Sequence, residues 1–150
     1  MGLEITRAVD YGLRAVLYLA EQWPEGTVLV TEMASFMDVP YQFLHKVMPR
    51  LVRAKIVHSK RGVRGGYQLA RPPREVTVLD VVEAIDGPIF LNRCLAQGSD
   101  CSRSGACALQ EVWKRARSFL REHLGSYTLQ DILEKQREMD EEGNTRWSGS

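Results

Sequence analysis

The chain has 150 residues, 44% of them apolar, and a net charge of +1. That length fits one domain with an extension, and no apolar run approaches the roughly 20 residues a membrane span needs. The opening MGLEITRAVDYG carries acids where a signal peptide needs an apolar stretch, so the expectation is a cytoplasmic protein with no membrane partner.

From Thr6 to Gln22, Val9, Leu13, Val16, Leu17 and Ala20 recur at helical spacing, and Trp23-Pro24-Glu25-Gly26 ends the segment. Thr31 is placed to cap a short helix over EMASFM, interrupted at Asp38-Val39-Pro40. Pro40 suits the first turn of a third helix, PYQFLHKVMPRLVRA, with Phe43, Leu44, Val47, Leu51 and Val52 on one side. Pro49 removes a ladder hydrogen bond inside that helix and predicts a bend there. Two short helices joined by a tight turn, the second polar and basic, form the pattern of a helix-turn-helix.

Ile56-Val57 and Tyr67-Gln68-Leu69 then read as two strands, with KRGVRGG as the turn between them. A hairpin with arginines at its tip, directly after such a helix, is the wing of a winged helix. REVTVLDVVEAIDGP is a further helix, with Thr77 and Asp80 in a capping-box pattern and Gly87-Pro88 as its stop. Beyond the segment CLAQGSDCSRSGAC, an apolar stripe runs through Leu109, Val112, Trp113, Ala116, Phe119, Leu120 and Leu124. A small winged helix does not bury so long a stripe alone, which points to a dimerisation helix. Thr128 with Asp131 caps a last helix, LQDILEKQ, and the polar residues that follow are expected to be disordered. The fold class is therefore mostly α with a small β-hairpin wing. Residues 1–87 would form the DNA-binding domain and 88–108 a cysteine-rich loop. Residues 109–137 would be the dimer and C-terminal helices, and 138–150 the tail.

Charge is unevenly spread. Between Tyr41 and Glu75 nine basic residues face one acid, whereas Gln130–Glu142 holds six acids and two bases. Such polarity suggests a local polyanion-binding face. Tyr41, Gln42, His45 and Lys46 lie early in the third helix, where base edges would be read; Gln pairs with adenine and His donates or accepts. Lys60, Arg61 and Arg64 at the wing are long enough to follow phosphates or enter a narrow minor groove.

All three cysteines, Cys94, Cys101 and Cys107, fall in one glycine- and serine-rich segment. An odd number argues against a disulfide framework and for metal or redox chemistry. The spacing lacks the short knuckles of structural zinc sites. A loose wrap of thiolates suits an iron–sulfur cluster, which still needs a fourth ligand or an open iron.

TRAVDYGLRAVLYLA, VPYQFLHKVMPRLVRAKIV, RGVRGGYQLA, TVLDVVEAIDGP and FLREHLGSYTLQDIL, together with this loop, resemble the iron–sulfur winged-helix regulators of the Rrf family, of the IscR, NsrR and RirA type. The resemblance spans about residues 3–137. It implies a homodimer on palindromic double-stranded promoter DNA, read here as a repressor, whose cluster senses iron, redox state or nitric oxide. Cys94, Cys101 and Cys107 fall on the family's ligand cysteines, although the first gap is one residue longer than usual. The IscR branch has a histidine three residues after the last cysteine, where this chain has Gln110, a poor iron ligand. The NsrR branch has an aspartate near the start of the first helix, supplied by the partner subunit, and Asp10 stands at that place. The resemblance thus favours a 4Fe–4S cluster on Cys94, Cys101, Cys107 and Asp10 across the dimer, with 2Fe–2S the second possibility. It also puts Gln42, His45 and Arg61 at base-reading and minor-groove positions.

Two rivals stay open. One is a cluster-free winged-helix repressor that responds to thiols or zinc; the other is a small iron–sulfur carrier, against which the basic segment and wing argue. No nucleophile–base set, phosphate loop or catalytic carboxylate pair suggests an enzyme.

Overall fold

The computed structural model describes residues 4–63, 65–96, 98 and 100–143. Thr6 opens α1 (Arg7–Glu21): its Oγ1 accepts the amide of Val9 at 3.2 Å and donates to Asp86 at 2.7 Å. Val9 and Val16 are buried as expected, but so are Ala15, Tyr18 and Leu19, while Leu13 and Leu17 are only partly covered. The reason is position: α1 is the central helix, and the helices Tyr41–Arg53, Val78–Asp86 and Leu129–Glu141 and the strand Gly66–Leu69 all pack on it. Gly12 makes this possible. A Cβ there would overlap Ile85 and lie 3.0 Å from Cγ1 of Val47.

The chain then pairs Val28 with Tyr67 through two backbone hydrogen bonds of 2.8 Å each, and enters α2 (Val30–Phe36). Thr31 was expected to cap this helix. Instead Leu29 takes the flanking position with no side-chain cap, and Thr31 sits in the first turn. Pairing of Val28 to the wing delivers the chain to the helix earlier than the cap signal indicates. Residues 37–40 make the turn, with Asp38 in the left-handed region at φ 50°.

In α3 (Tyr41–Arg53), Leu44, Val47, Met48 and Leu51 are buried. Burying a side chain of this size contributes about 1.5–3 kcal/mol, which anchors a helix of weak intrinsic propensity. The helix continues through Pro49 to Arg53. Pro49 lies on the exposed side, where water can take the carbonyl of His45 that the ring leaves without a ladder partner.

Strands β1 (Val57–Lys60) and β2 (Gly66–Leu69) form one antiparallel hairpin, with Val57 opposite Leu69 and Lys60 opposite Gly66. The strands are longer than expected, so Lys60 ends β1 instead of lying in the tip. Gly66 has φ 148°, and a Cβ on it would run into the carbonyl of Val28. Close approach of the Val28 segment to the wing base therefore requires glycine.

A short 3₁₀ turn (Pro73–Glu75) leads to α4 (Val78–Asp86), where Thr77 and Asp80 form the predicted reciprocal cap and Gly87 ends the helix at φ 82°. A second 3₁₀ turn (Arg93–Leu95) begins the cysteine segment before α5 (Ala108–Gly125). Last comes α6 (Leu129–Glu141), with the predicted Thr128–Asp131 box. It runs past residue 137, where the tail was expected to begin; residues 144–150, including Trp147, lie outside the described residues.

The two final helices are held very differently. Leu129 and Leu133 are buried in the same core as α1. The amide of Leu129 donates to Val76 (2.8 Å) and that of Val78 to Tyr127 (2.9 Å), tying the start of α6 to the start of α4. Helix α5 instead leans on α4 and the second 3₁₀ turn, and Gln110 is its sole buried residue. Leu109, Val112 and Phe119 are 62%, 53% and 76% exposed, so its apolar stripe is bare at these three positions, while Trp113, Ala116, Leu120 and Leu124 are partly covered.

Candidate DNA interface and cysteine site

The buried row Leu44–Val47–Met48–Leu51 turns the opposite side of α3 outward. Tyr41, Gln42, His45 and Lys46 are consequently all exposed in its first two turns. The Tyr41 and His45 rings meet edge to face with centroids 4.4 Å apart, one helical turn separating them. This contact restricts both rings before any ligand arrives. At the wing, Lys60 and Arg61 are exposed, and Arg64 lies outside the described residues. Val63, at the tip, is fully exposed.

Not every cation of the basic segment is available to a polyanion. Arg50 donates through Nη1 to the carbonyl of Ile85 at 2.7 Å, binding α3 to the last turn of α4. Arg71 is partly buried, with Nη1 3.5 Å from the carbonyl of Glu75. Among the described residues the usable surface charge is smaller than the sequence count and lies on Lys46, Arg53, Lys55, Lys60, Arg61 and Arg74.

The cysteine segment and the start of α5 enclose a concavity of about 600 Å³. Cys94, Cys101 and Cys107 all line it, with Gln110 and Trp113 contributed by α5. Cys101 is exposed, whereas Cys94 and Cys107 are half-buried. Backbone bonds shape the wall: the amide of Ser104 donates to Cys101 and that of Ala106 to Arg103, at 3.0 and 3.1 Å. Gly105, at φ 87°, turns its own amide toward Oε1 of Gln110, 3.3 Å away. Among the described residues, Gln110 is the single buried polar side chain. Also among them, no three His, Cys, Asp or Glu side chains stand close enough to hold one metal ion. An iron–sulfur cluster spreads its ligands over several irons, so this spacing bears on a mononuclear site first.

Asp10, His58 and His123 do not line this concavity. Asp10, in the first turn of α1, pairs with Arg14 at 2.9 Å, and Arg14 in turn lies 5.7 Å from the centre of the Tyr11 ring. Within one subunit Asp10 is not among the residues lining the cysteine pocket. His123 packs edge to face on Tyr127. It lies sixteen residues beyond Cys107, about 24 Å along α5 at 1.5 Å per residue. His58 is exposed on β1 opposite Gln68.

Several contacts between helices were invisible in the sequence. Arg121 of α5 pairs with Glu83 of α4, and Arg50 links α4 to α3. Both join residues far apart in the chain, and no local spacing announces them. Gln110 was legible as the residue at a ligand position, but its contact with Gly105 was not.

Comparison with known proteins agrees with this geometry. Residues 5–135 match the Rrf2 family, described as iron-dependent transcriptional regulators. A Mycobacterium tuberculosis protein named as an HTH-type transcriptional regulator is 36% identical over 132 residues, covering 87% of this chain and 81% of its own. The structure of T. potens IscR superposes with a TM-score of 0.72 at 29% identity, over 90% of this chain and 89% of that one. CymR, the global cysteine regulator of B. subtilis, gives a TM-score of 0.71 at 30% identity, over 87% and 96%. With a helix-turn-helix, a hairpin wing and matches of this extent, the chain belongs to the Rrf2 family of winged-helix, DNA-binding transcriptional regulators and is not an enzyme.

Proposed function

We propose that the protein is a homodimeric repressor whose affinity for palindromic promoter DNA is set by an iron–sulfur cluster on Cys94, Cys101 and Cys107, completed by Asp10 of the partner subunit. The observation that carries this reading is the convergence of all three cysteines on one concavity, formed by the cysteine segment and the start of α5. The chain supplies three thiols there, and the residue at the fourth place, Gln110, is occupied with Gly105. That donor set suits a cluster with one ligand from outside the chain better than a closed four-ligand zinc site. When bound, a cluster supplies redox chemistry and sensitivity to iron supply, oxidants and nitric oxide. The bare face of α5, with Leu109, Val112 and Phe119 exposed, supports the dimer.

The protein's own part is mechanical. Gln42, His45 and Lys46 would face the major groove, and Lys60, Arg61 and Arg64 the adjacent backbone or minor groove. The cysteine segment bears on α5, α5 holds α4 through Arg121 and Glu83, and α4 holds α3 through Arg50. A change in the segment thus has a continuous packed route to the reading helix.

Iron and acid-labile sulfide, measured per subunit on protein purified without oxygen, test the cofactor. About four of each would support the 4Fe–4S reading, and about two would favour 2Fe–2S. Asp10→Ala should then speed cluster loss without unfolding the chain. Zinc alone, or no metal after reconstitution, would overturn the cluster. The second reading, a cluster-free thiol-responsive regulator, is favoured by likeness to a cysteine regulator and by the exposure of Cys101. It predicts the metal-free result together with DNA binding that follows thiol oxidation.

A further inference from the structure

A buried polar side chain needs a reason, because leaving its hydrogen bonds unmade costs more than placing an apolar residue there. Gln110 is the single buried polar side chain among the described residues, and it lies in the wall of the cysteine concavity. Its Oε1 takes the amide of Gly105, while its own backbone amide donates to Cys107 at 3.1 Å. One residue therefore ties the segment between Cys101 and Cys107 to the first turn of α5 at two points. Gly105 reaches it through a left-handed backbone, φ 87°, with nothing near the place a Cβ would occupy. The residue is selected here for direction of the amide and not for space. Turns closed by Ser104 onto Cys101 and Ala106 onto Arg103 complete a folded arch whose two ends carry thiols.

We infer that Gln110 is a positioning residue: a latch that fastens the Cys101–Cys107 arch to α5 and presents both thiols to the concavity, and not a ligand itself. This builds on the proposed cluster site, but the latch acts in the metal-free protein as well. Its oxygen acceptor is what matters. Gln110→Leu removes the acceptor at similar volume, and Gln110→Glu keeps one.

The test uses the full-length protein, metal-free and with thiols reduced. In wild type the Gly105 amide should exchange with solvent more slowly than an unprotected glycine amide. Gln110→Leu should speed that exchange about fivefold, the worth of one neutral hydrogen bond. Alkylation of Cys107 by iodoacetamide should quicken with it, and Gln110→Glu should restore wild-type rates of both. An unprotected Gly105 amide in wild type would overturn the latch without any variant, as would an exchange rate indifferent to Gln110→Leu. Reconstitution with ferrous iron and sulfide then separates latch from ligand. A latch predicts that Gln110→Leu leaves iron content and absorption spectrum as in wild type but shortens cluster lifetime in air. A changed spectrum would make Gln110 a ligand and overturn the inference. Failure of the wild type to take up a cluster would defeat the cofactor reading alone, since exchange and alkylation still judge the latch.

Discussion

Gly12 sits where α1 crosses both α3 and α4, and a side chain there meets Ile85 and Val47 at once. Gly12→Val should therefore lower stability by about 1–3 kcal/mol, seen as a lower urea midpoint. Gly12→Ala should cost less, since the terminal methyl of Ile85 can rotate away; equal stability of the valine variant and wild type would refute this packing. Nothing in the sequence distinguishes Gly12 from a surface glycine, because its neighbours come from two distant helices. Arg50 teaches the same lesson from the polar side. It reads as one more phosphate-binding cation, yet its guanidinium is committed to the carbonyl of Ile85. The two kinds of cation separate in a salt titration on duplex DNA. Lys46→Ala and Arg61→Ala should each reduce the slope of log affinity against log salt by about 1, and Arg50→Ala should leave the slope nearly unchanged. The reverse pattern would mean that the DNA face is drawn wrongly.

Elements were legible wherever their signal was local. Both capping boxes, Thr77 with Asp80 and Thr128 with Asp131, stand where spacing placed them. The start of α2 was not legible, because a long-range pairing of Val28 with Tyr67 governs it. Helix α6 also hid its role, since its sequence shows amphipathic spacing but not that Leu129 and Leu133 return to the α1 core. Its cap carries a pH dependence. The backbone and side-chain hydrogen bonds of Thr128 hold the Asp131 carboxyl below the ordinary aspartate value. A carboxyl lowered on folding stabilises the folded state above its unfolded value, about 3.9, and that contribution is lost as pH falls through the lower folded value. Asp131→Ala should thus melt below wild type at pH 7, with the gap closing toward strong acid; a gap independent of pH would contradict the assignment. For α5 the expected apolar stripe is bare at Leu109, Val112 and Phe119 and partly covered at Trp113, Ala116, Leu120 and Leu124. Phe119→Glu should convert the protein to a monomer in sedimentation equilibrium and weaken binding to palindromic DNA. A persistent dimer would place the subunit contact elsewhere.

At the scale of the whole molecule, the winged helix and the segregation of the cysteines into one loop were readable from the sequence. The cluster reading requires the three cysteines to meet, and all three line one concavity; the bond of Gly105 with Gln110 in its wall was not legible, because loop paths depend on such contacts. Glu83–Arg121 joins α4 to α5, on which the cysteine segment rests, and Arg50–Ile85 joins α4 to α3, so the proposed sensing segment and the proposed reading helix are linked through α4. Such a route matters only if the segment's two states differ in their preference for the DNA-competent form, since a ligand shifts an equilibrium by its differential affinity alone. The most direct test measures binding to DNA fragments selected from a random-sequence pool by the loaded and the cluster-free protein separately. Both affinities are taken without oxygen on one preparation, before and after removal of the cluster with an iron chelator. A change of at least tenfold, about 1.4 kcal/mol, on the same fragment is the predicted result. Equal affinities for every selected fragment would contradict control of DNA binding by the cysteine site.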